Sequence, residues 1–182
     1  MTENITILGQ LLRYKSLAYV FKMEPNMPEK QTLKFYLILF SIGFALNLIW
    51  EISQMQFFAG KPGNSFLEGV YYCALASVID GVTIILIYIV ASRIINPNNL
   101  KFYILTAFFG AFCTIVFENI AFYLKLWSYE ESMPIVTLFN VGLLPFVQLT
   151  SLVPFSIFIA LYLRKIRLRI FNKALRGSSH SY

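Results

Sequence analysis

Four long stretches of the chain are almost wholly apolar, and polar, proline-bearing segments separate them. They cover residues 33–58, 66–92, 102–126 and 134–163. A membrane-crossing helix needs about 20 mainly apolar residues, and each stretch supplies them. Gly60-Lys61-Pro62-Gly63 breaks the first pair, and Asn96-Pro97-Asn98-Asn99 breaks the second. The third connection holds Ser128, Glu130, Glu131, Ser132 and Pro134. Connections this short set neighbouring helices antiparallel. The pattern therefore predicts an all-α fold, an integral membrane four-helix bundle.

Residues 5–21 are apolar but shorter than a comfortable span. Thr6, Gln10, Arg13 and Ser16 share one helical face, and Leu8, Leu11, Leu12 and Ala18 another. This reads as an amphipathic helix lying on the membrane surface, ended by Pro25 and Pro28; a fifth span is the alternative. The expected organisation is a cytoplasmic N-terminal segment with this interfacial helix (1–32), a four-span bundle (33–163) and a basic cytoplasmic tail (164–182). The tail is expected to continue the last helix. Nothing at the N-terminus reads as a removable signal peptide.

Composition agrees. Of 182 residues, 58% are hydrophobic and 13% charged, against about a quarter charged in soluble domains. A larger core cannot explain the deficit, because so short a chain has a large surface for its volume. Basic residues set a direction. Arg13, Lys15, Lys22, Lys30 and Lys34 precede or open the first span, Arg93 and Lys101 flank the second turn, and Arg164, Lys165, Arg167, Arg169, Lys173 and Arg176 follow the last span. Lys61 and Lys125 stand alone in the other two connections. The positive-inside rule puts both termini in the cytoplasm, as an even number of spans requires. Trp127 then falls at the outer boundary. The basic tail suits contact with anionic membrane lipid, and no motif points to nucleic acid.

Three acids interrupt the apolar spans: Glu51, Asp80 and Glu118. An acid near the bilayer centre costs roughly 2.5 to 3.5 kcal/mol on insertion scales, so such groups usually face the bundle interior and mark a site or a proton path. Helical spacing groups other polar residues with them. Asn47, Glu51 and Gln54 occur at i, i+4 and i+7; Cys73, Ser77 and Asp80 repeat that spacing; Thr114 and Glu118 are four apart, with Asn119 beside them. Thr137, Asn140, Gln148 and Ser151 are expected to share a face of the fourth span. At about 1.5 Å per residue, Glu51 and Glu118 lie toward the outer ends of their spans, and Asp80 and Gln148 near the middle of theirs. The stripes predict a polar cavity opening outward, or sideways to the outer leaflet. In the fourth span Gly142, Pro145 and Pro154 favour a kink that would make room for it, although membrane helices also tolerate proline without one.

The inventory narrows the chemistry. The one histidine, His180, is two residues from the C-terminus, which removes imidazole catalysis and most zinc or iron sites. Cys73 and Cys113 lie in apolar segments and read as core thiols. No cofactor is indicated and no protein-held metal is expected; a carboxylate-bound Mg²⁺ is the one ion the residue types would allow.

Asn47-Leu48-Ile49-Trp50-Glu51 with Gln54, Asp80, Glu118, Trp127-Ser128-Tyr129, Met133-Pro134 and Gly142-Leu143-Leu144-Pro145 with Gln148 form a pattern. It resembles small, uncharacterised multi-pass membrane proteins of bacteria, from the first span to the last. That resemblance implies the membrane fold, suggests that these residues matter together and carries no activity; the expected location is the cell membrane, in bacteria the inner membrane. Trp50-Glu51 at a span end also resembles the Trp-Glu pair of membrane terpenoid cyclases of the lycopene-cyclase and fungal meroterpenoid types. The chain lacks the paired acids after proline of lycopene-cyclase subunits and has fewer spans than the fungal enzymes. This second resemblance implies acids that protonate an alkene or epoxide.

Three functions fit these readings. The first is an enzyme doing acid-catalysed cyclisation or isomerisation on an isoprenoid or other apolar lipid. Glu51, Asp80 and Glu118 would be catalytic, and Asn47, Trp50, Gln54, Ser77, Asn119, Trp127, Tyr129, Asn140 and Gln148 would bind the substrate. The second is a small proton-coupled transporter working as a homo-oligomer. The third is a structural or accessory membrane subunit whose polar stripes hold a partner helix.

Overall fold

The computed structural model describes residues 29–59 and 65–178, and the expected interfacial helix at 5–21 lies outside them. Among the described residues four helices form the bundle: α1 (Glu29–Gln54), α2 (Phe66–Ile94), α3 (Leu100–Tyr123) and α4 (Leu143–Ser178). All four carry a segment long and apolar enough to cross a membrane: Thr32–Phe57, Phe66–Ile94, Leu100–Tyr123 and Leu143–Ile170. Their outward surface is apolar, with Leu37, Ile49, Leu75, Ile79, Ile104, Phe108, Phe112 and Phe155 all exposed. A continuous apolar surface of this kind belongs against lipid rather than water. The architecture is that of a multi-pass membrane protein.

Short polar signals place the helix ends. Ser65 caps α2 in a capping box: its hydroxyl accepts from the Glu68 backbone N–H at 3.3 Å, and the Glu68 carboxylate accepts from the Ser65 N–H at 3.2 Å. Asn99 caps α3 through its side-chain oxygen, which accepts from the Lys101 N–H at 3.0 Å. The far end of α3 is closed by Lys125, which adopts a left-handed φ of 54° while Leu126 donates back to the Ala121 carbonyl at 2.9 Å.

Two small antiparallel ladders, one of them wholly within the connection after α3, cap one end of the bundle. β1 (Phe58–Ala59), which follows a single 3₁₀ turn after α1, pairs with β2 (Ser128–Tyr129). β3 (Ile135–Val136) pairs with β4 (Val141–Gly142). The α1–α2 and α3–α4 connections therefore meet at one end, here the hairpin end, and α1 begins and α4 runs out at the other.

This corrects the expected fourth span. Residues 134–142 form a hairpin rather than the first turns of a helix. Ile135, Val136 and Val141 are apolar and β-branched, so they extend a hydropathy run without favouring helix. Asn140, at φ 54°, turns the chain between the strands. Thr137 and Asn140 therefore share no helical face with Gln148. Gln148 is the sixth residue of α4, near its hairpin end, and not mid-span. Gly142 lies in β4, and Pro145 sits in the first turn of α4, where a missing N–H costs little. Only Pro154 stands inside the helix.

The two halves of the bundle are packed differently. The terminal half holds the apolar core, including Phe35, Leu39, Ile84, Tyr88, Phe102, Val153, Ile157 and Ala160. The hairpin half holds buried polar residues, among them Asn47, Gln54, Asp80, Thr114, Glu118 and Gln148. α1 packs most extensively on α2 and α3 on α4, whereas α2 and α3 touch sparingly. Gly110 permits the α3–α4 approach, because a Cβ there would clash with the Leu149 carbonyl oxygen.

Candidate functional site

The sparse contact between α2 and α3 leaves a cavity of about 420 Å³ in the hairpin half. Its walls are mostly apolar: Tyr72, Leu75, Ala76 and Ile79 from α2, and Phe117, Ile120 and Ala121 from α3. Met55, Phe58, Leu126 and Trp127 close the hairpin side, and Pro145 and Leu149 come from α4. At the mouth Tyr72, Leu75, Ile79 and Ile120 are 42–57% exposed on the outer surface of the bundle. The cavity thus opens sideways between two helices, in the apolar belt. The expected polar cavity is instead an apolar one with a polar base.

That base contains all three acids. Glu51, Gln54, Asp80, Glu118 and Gln148 line the cavity together, and Gln148 joins most of them. Its amide nitrogen donates toward Asn47 Oδ1 at 3.0 Å, Glu51 Oε1 at 2.9 Å and Asp80 Oδ2 at 3.2 Å. Its carbonyl oxygen accepts from Gln54 Nε2 at 2.8 Å. Trp50 supports the arrangement from behind, its indole N–H donating to Gln54 Oε1 at 3.1 Å. Asn47 donates in turn to the Gly43 carbonyl at 2.8 Å. One residue on α4 therefore gathers the polar face of α1 and the acid of α2.

Glu118 is held separately, from the hairpin cap. The Tyr129 hydroxyl donates to Glu118 Oε2 and accepts from the Gly142 N–H at 2.7 Å. The Trp127 indole N–H reaches the same carboxylate oxygen at 3.4 Å. Both rings are fixed by Phe58, whose centroid lies 6.3 Å from that of Trp127 and 5.4 Å from that of Tyr129. Phe122 packs edge-on against Tyr129 at 4.8 Å. Gly142 is required here, since a Cβ would stand 2.9 Å from the Tyr129 ring. Burial first, and the Glu118 carboxyl second, raise the Tyr129 phenol above its ordinary pKa, against the lowering effect of the Gly142 N–H.

Three expected binding residues lie outside this arrangement. Ser77 is buried but turns its hydroxyl back to the Cys73 carbonyl at 2.7 Å. Asn119 is exposed and donates to the Ile115 carbonyl of its own helix at 2.7 Å. Asn140 is exposed in the hairpin turn. Conversely, spacing did not point to Gly142, whose N–H matters only because β4 passes Tyr129. Phe117 and Met55 looked like ordinary apolar positions and line the cavity. Thr114 also lines it, one turn before Glu118, and belonged to the stripe already visible in the third span.

Among the described residues no group of three His, Cys, Asp or Glu side chains is placed to hold a metal ion. Neither Cys73 nor Cys113 is in a disulfide. Comparison with protein-family models, with curated proteins and with solved structures finds no match.

Proposed function

We propose that the protein is a membrane enzyme that rearranges an apolar lipid with an isoprenoid-like double bond, by protonation and deprotonation inside the bilayer. The observation that carries this is the apolar cavity between α2 and α3, open to the side and ending on Glu51, Asp80 and Glu118. An apolar substrate dissolved in the bilayer has direct access to such a mouth and need not cross water. Its volume falls within the range of small-molecule sites.

The chemistry needs only what the base of the cavity contains. Asp80 gives its proton to one alkene carbon. The π electrons form the new C–H bond and leave a cation on the neighbouring carbon. Glu118, held by Tyr129 and Trp127, removes a proton from an adjacent carbon, and that C–H pair becomes the new double bond. In a cyclisation, a second alkene of the same substrate attacks the cation before the proton is lost. Either way the substrate is isomerised, the proton that Glu118 has taken up returns to Asp80 within the cavity both line, and no oxidant, reductant or cofactor is consumed. Phe117, Tyr72 and Trp127 line the cavity, and aromatic rings stabilise a nearby cation. Gln148, which donates toward both Asp80 and Glu51, keeps Asp80 in place. The Trp50-Glu51 resemblance to membrane terpenoid cyclases points to the same class of reaction.

The same reading sets the protein in a cell membrane with both termini in the cytoplasm, so that the reaction takes place in the outer half of the bilayer. The test is the apolar lipid profile of cells producing the wild type or the Glu51→Gln, Asp80→Asn and Glu118→Gln variants. The wild type is expected to convert one lipid into an isomer, and the Asp80 and Glu118 variants to abolish the conversion. Unchanged profiles for all three correctly inserted variants would remove the basis of the proposal.

A further inference from the structure

Gly69 is the fourth residue of α2 and is buried. Its backbone is ordinary helix and turns no corner. A glycine inside a helix costs stability relative to alanine, so its presence there needs a reason. Met55 supplies one. A Cβ on Gly69 would stand 2.7 Å from the Met55 sulfur and 3.6 Å from its methyl carbon. Among the described residues outside its own stretch of helix, those two atoms are all it would meet within 4 Å. The space an alanine would use is taken by the end of one thioether.

Both residues line the cavity. Met55 opens the 3₁₀ turn after α1 and forms part of the hairpin side. Its neighbours on that side are held. Phe58 packs edge-on against Trp127 at 6.3 Å, and Gln54 donates to Gln148 at 2.8 Å. Met55 is half-buried. Its side chain is unbranched, with three rotatable bonds, and adapts its shape to what lies beside it. The cavity wall is therefore fixed around Met55 and adjustable at it.

We propose that Met55, seated against Gly69, sets how bulky an apolar ligand the cavity accepts. A wide ligand fits while the thioether lies back in the space that Gly69 leaves. With a methyl group at position 69 the thioether must leave that seat, and the cavity it already lines is the space open to it. With a shorter side chain at position 55 the cavity gains the volume of the thioether. The proposal rests on the reading of this cavity as a site for apolar lipid, because a size limit has meaning only for a ligand that enters. It does not require the reaction.

The experiment uses the full chain, purified in a non-ionic detergent. Its thermal unfolding midpoint is followed with rising dodecylcyclohexane and with rising 1-dodecyladamantane, which share a tail and differ in the width of the head. A ligand that binds only the folded state raises the midpoint with its concentration. The wild type is expected to bind both saturably. Relative to the cyclohexyl compound, Met55→Ala is expected to tighten binding of the adamantyl one about tenfold, and Gly69→Ala to weaken it about tenfold, the scale of one methylene in an apolar pocket. The double variant separates seating from damage to the helix. With no thioether to displace, the methyl at position 69 should have no effect, and the affinity ratio should match that of Met55→Ala; contacting residues show such non-additivity. If Gly69→Ala alone does not fold, Met55→Ala and the double variant decide. An affinity ratio that is the same in every protein, or a Gly69→Ala effect that persists in the double variant, would overturn the proposal and leave the lipid site standing. Wild-type protein that binds neither compound would overturn both. Shifted ratios without any lipid conversion would preserve the proposal and remove the catalytic reading alone.

Discussion

Gln148 is the residue on which the polar end of the bundle depends most. It is 2% exposed, and its one side chain meets groups on two other helices. Replacing it by leucine keeps the volume but leaves the Asn47, Gln54 and Asp80 groups without their shared partner. Leaving a buried polar group unsatisfied costs about 1–3 kcal/mol, and measured interhelical hydrogen bonds in membranes average about 0.6 kcal/mol. Gln148→Leu is therefore expected to lose about 2 kcal/mol of stability in detergent unfolding, while Ser77→Ala, whose hydroxyl bonds only its own helix, should lose under about 1 kcal/mol. Tyr129 makes a pH-dependent contribution. Its folded pKa is raised above the ordinary value of 10.0, so the unfolded chain gives up this proton first. The stability tied to the neutral phenol is thus complete below that value and declines as pH rises above it. Alkaline unfolding curves of the wild type and Tyr129→Phe should diverge below the ordinary tyrosine pKa and converge above it. Parallel curves would show that the phenol is not held as described.

Each helix was legible as an apolar run bounded by turn chemistry. Asn96-Pro97-Asn98-Asn99 forms the expected break, with Asn98 N–H donating to Asn96 Oδ1 at 2.9 Å. The stripe Asn47, Glu51, Gln54 was legible as well, because helix spacing alone puts those residues on one face. The segment 134–142 was not, since Ile135, Val136 and Val141 prolong the hydropathy of α4 while forming strands. The grip of Tyr129 on Glu118 was hidden for another reason. It depends on β1 pairing with β2 across about 70 residues of sequence, and a two-residue ladder has no periodicity to detect. The same limit hid the role of Gly110, whose missing side chain matters only because the Leu149 carbonyl passes so close. Enlarging that position must push α3 and α4 apart, and overpacking a tight contact costs about 1–3 kcal/mol. Gly110→Ala is expected to destabilise by about that much in thermal unfolding, and Gly110→Val by more. A neutral Gly110→Val would mean that the two helices do not approach as closely as they do here.

Taken whole, the molecule divides its work between its ends. The terminal half is a close-packed apolar anchor whose exit carries basic residues, with Arg164 lying 5.6 Å over the Phe35 ring. The hairpin half is loosely closed on one side and holds the acids, supported from behind by Gln148 and from above by the cap. If the basic end faces the cytoplasm, a cysteine placed at Asn98 should react with reagents from the cytoplasmic side and one at Ser128 from the opposite side, in a background with Cys73 and Cys113 replaced by alanine. The reverse pattern would invert the orientation but leave the site intact. The proposed reaction makes a sharper demand, because its first step places an exchangeable proton on a substrate carbon. The decisive measurement is deuterium uptake into lipids when the purified protein, reconstituted in liposomes made from host lipid extract, is held in heavy water. One apolar lipid should gain a carbon-bound deuterium with the wild type and not with Asp80→Asn. Folded wild-type protein that puts deuterium into no lipid would contradict acid catalysis in this cavity.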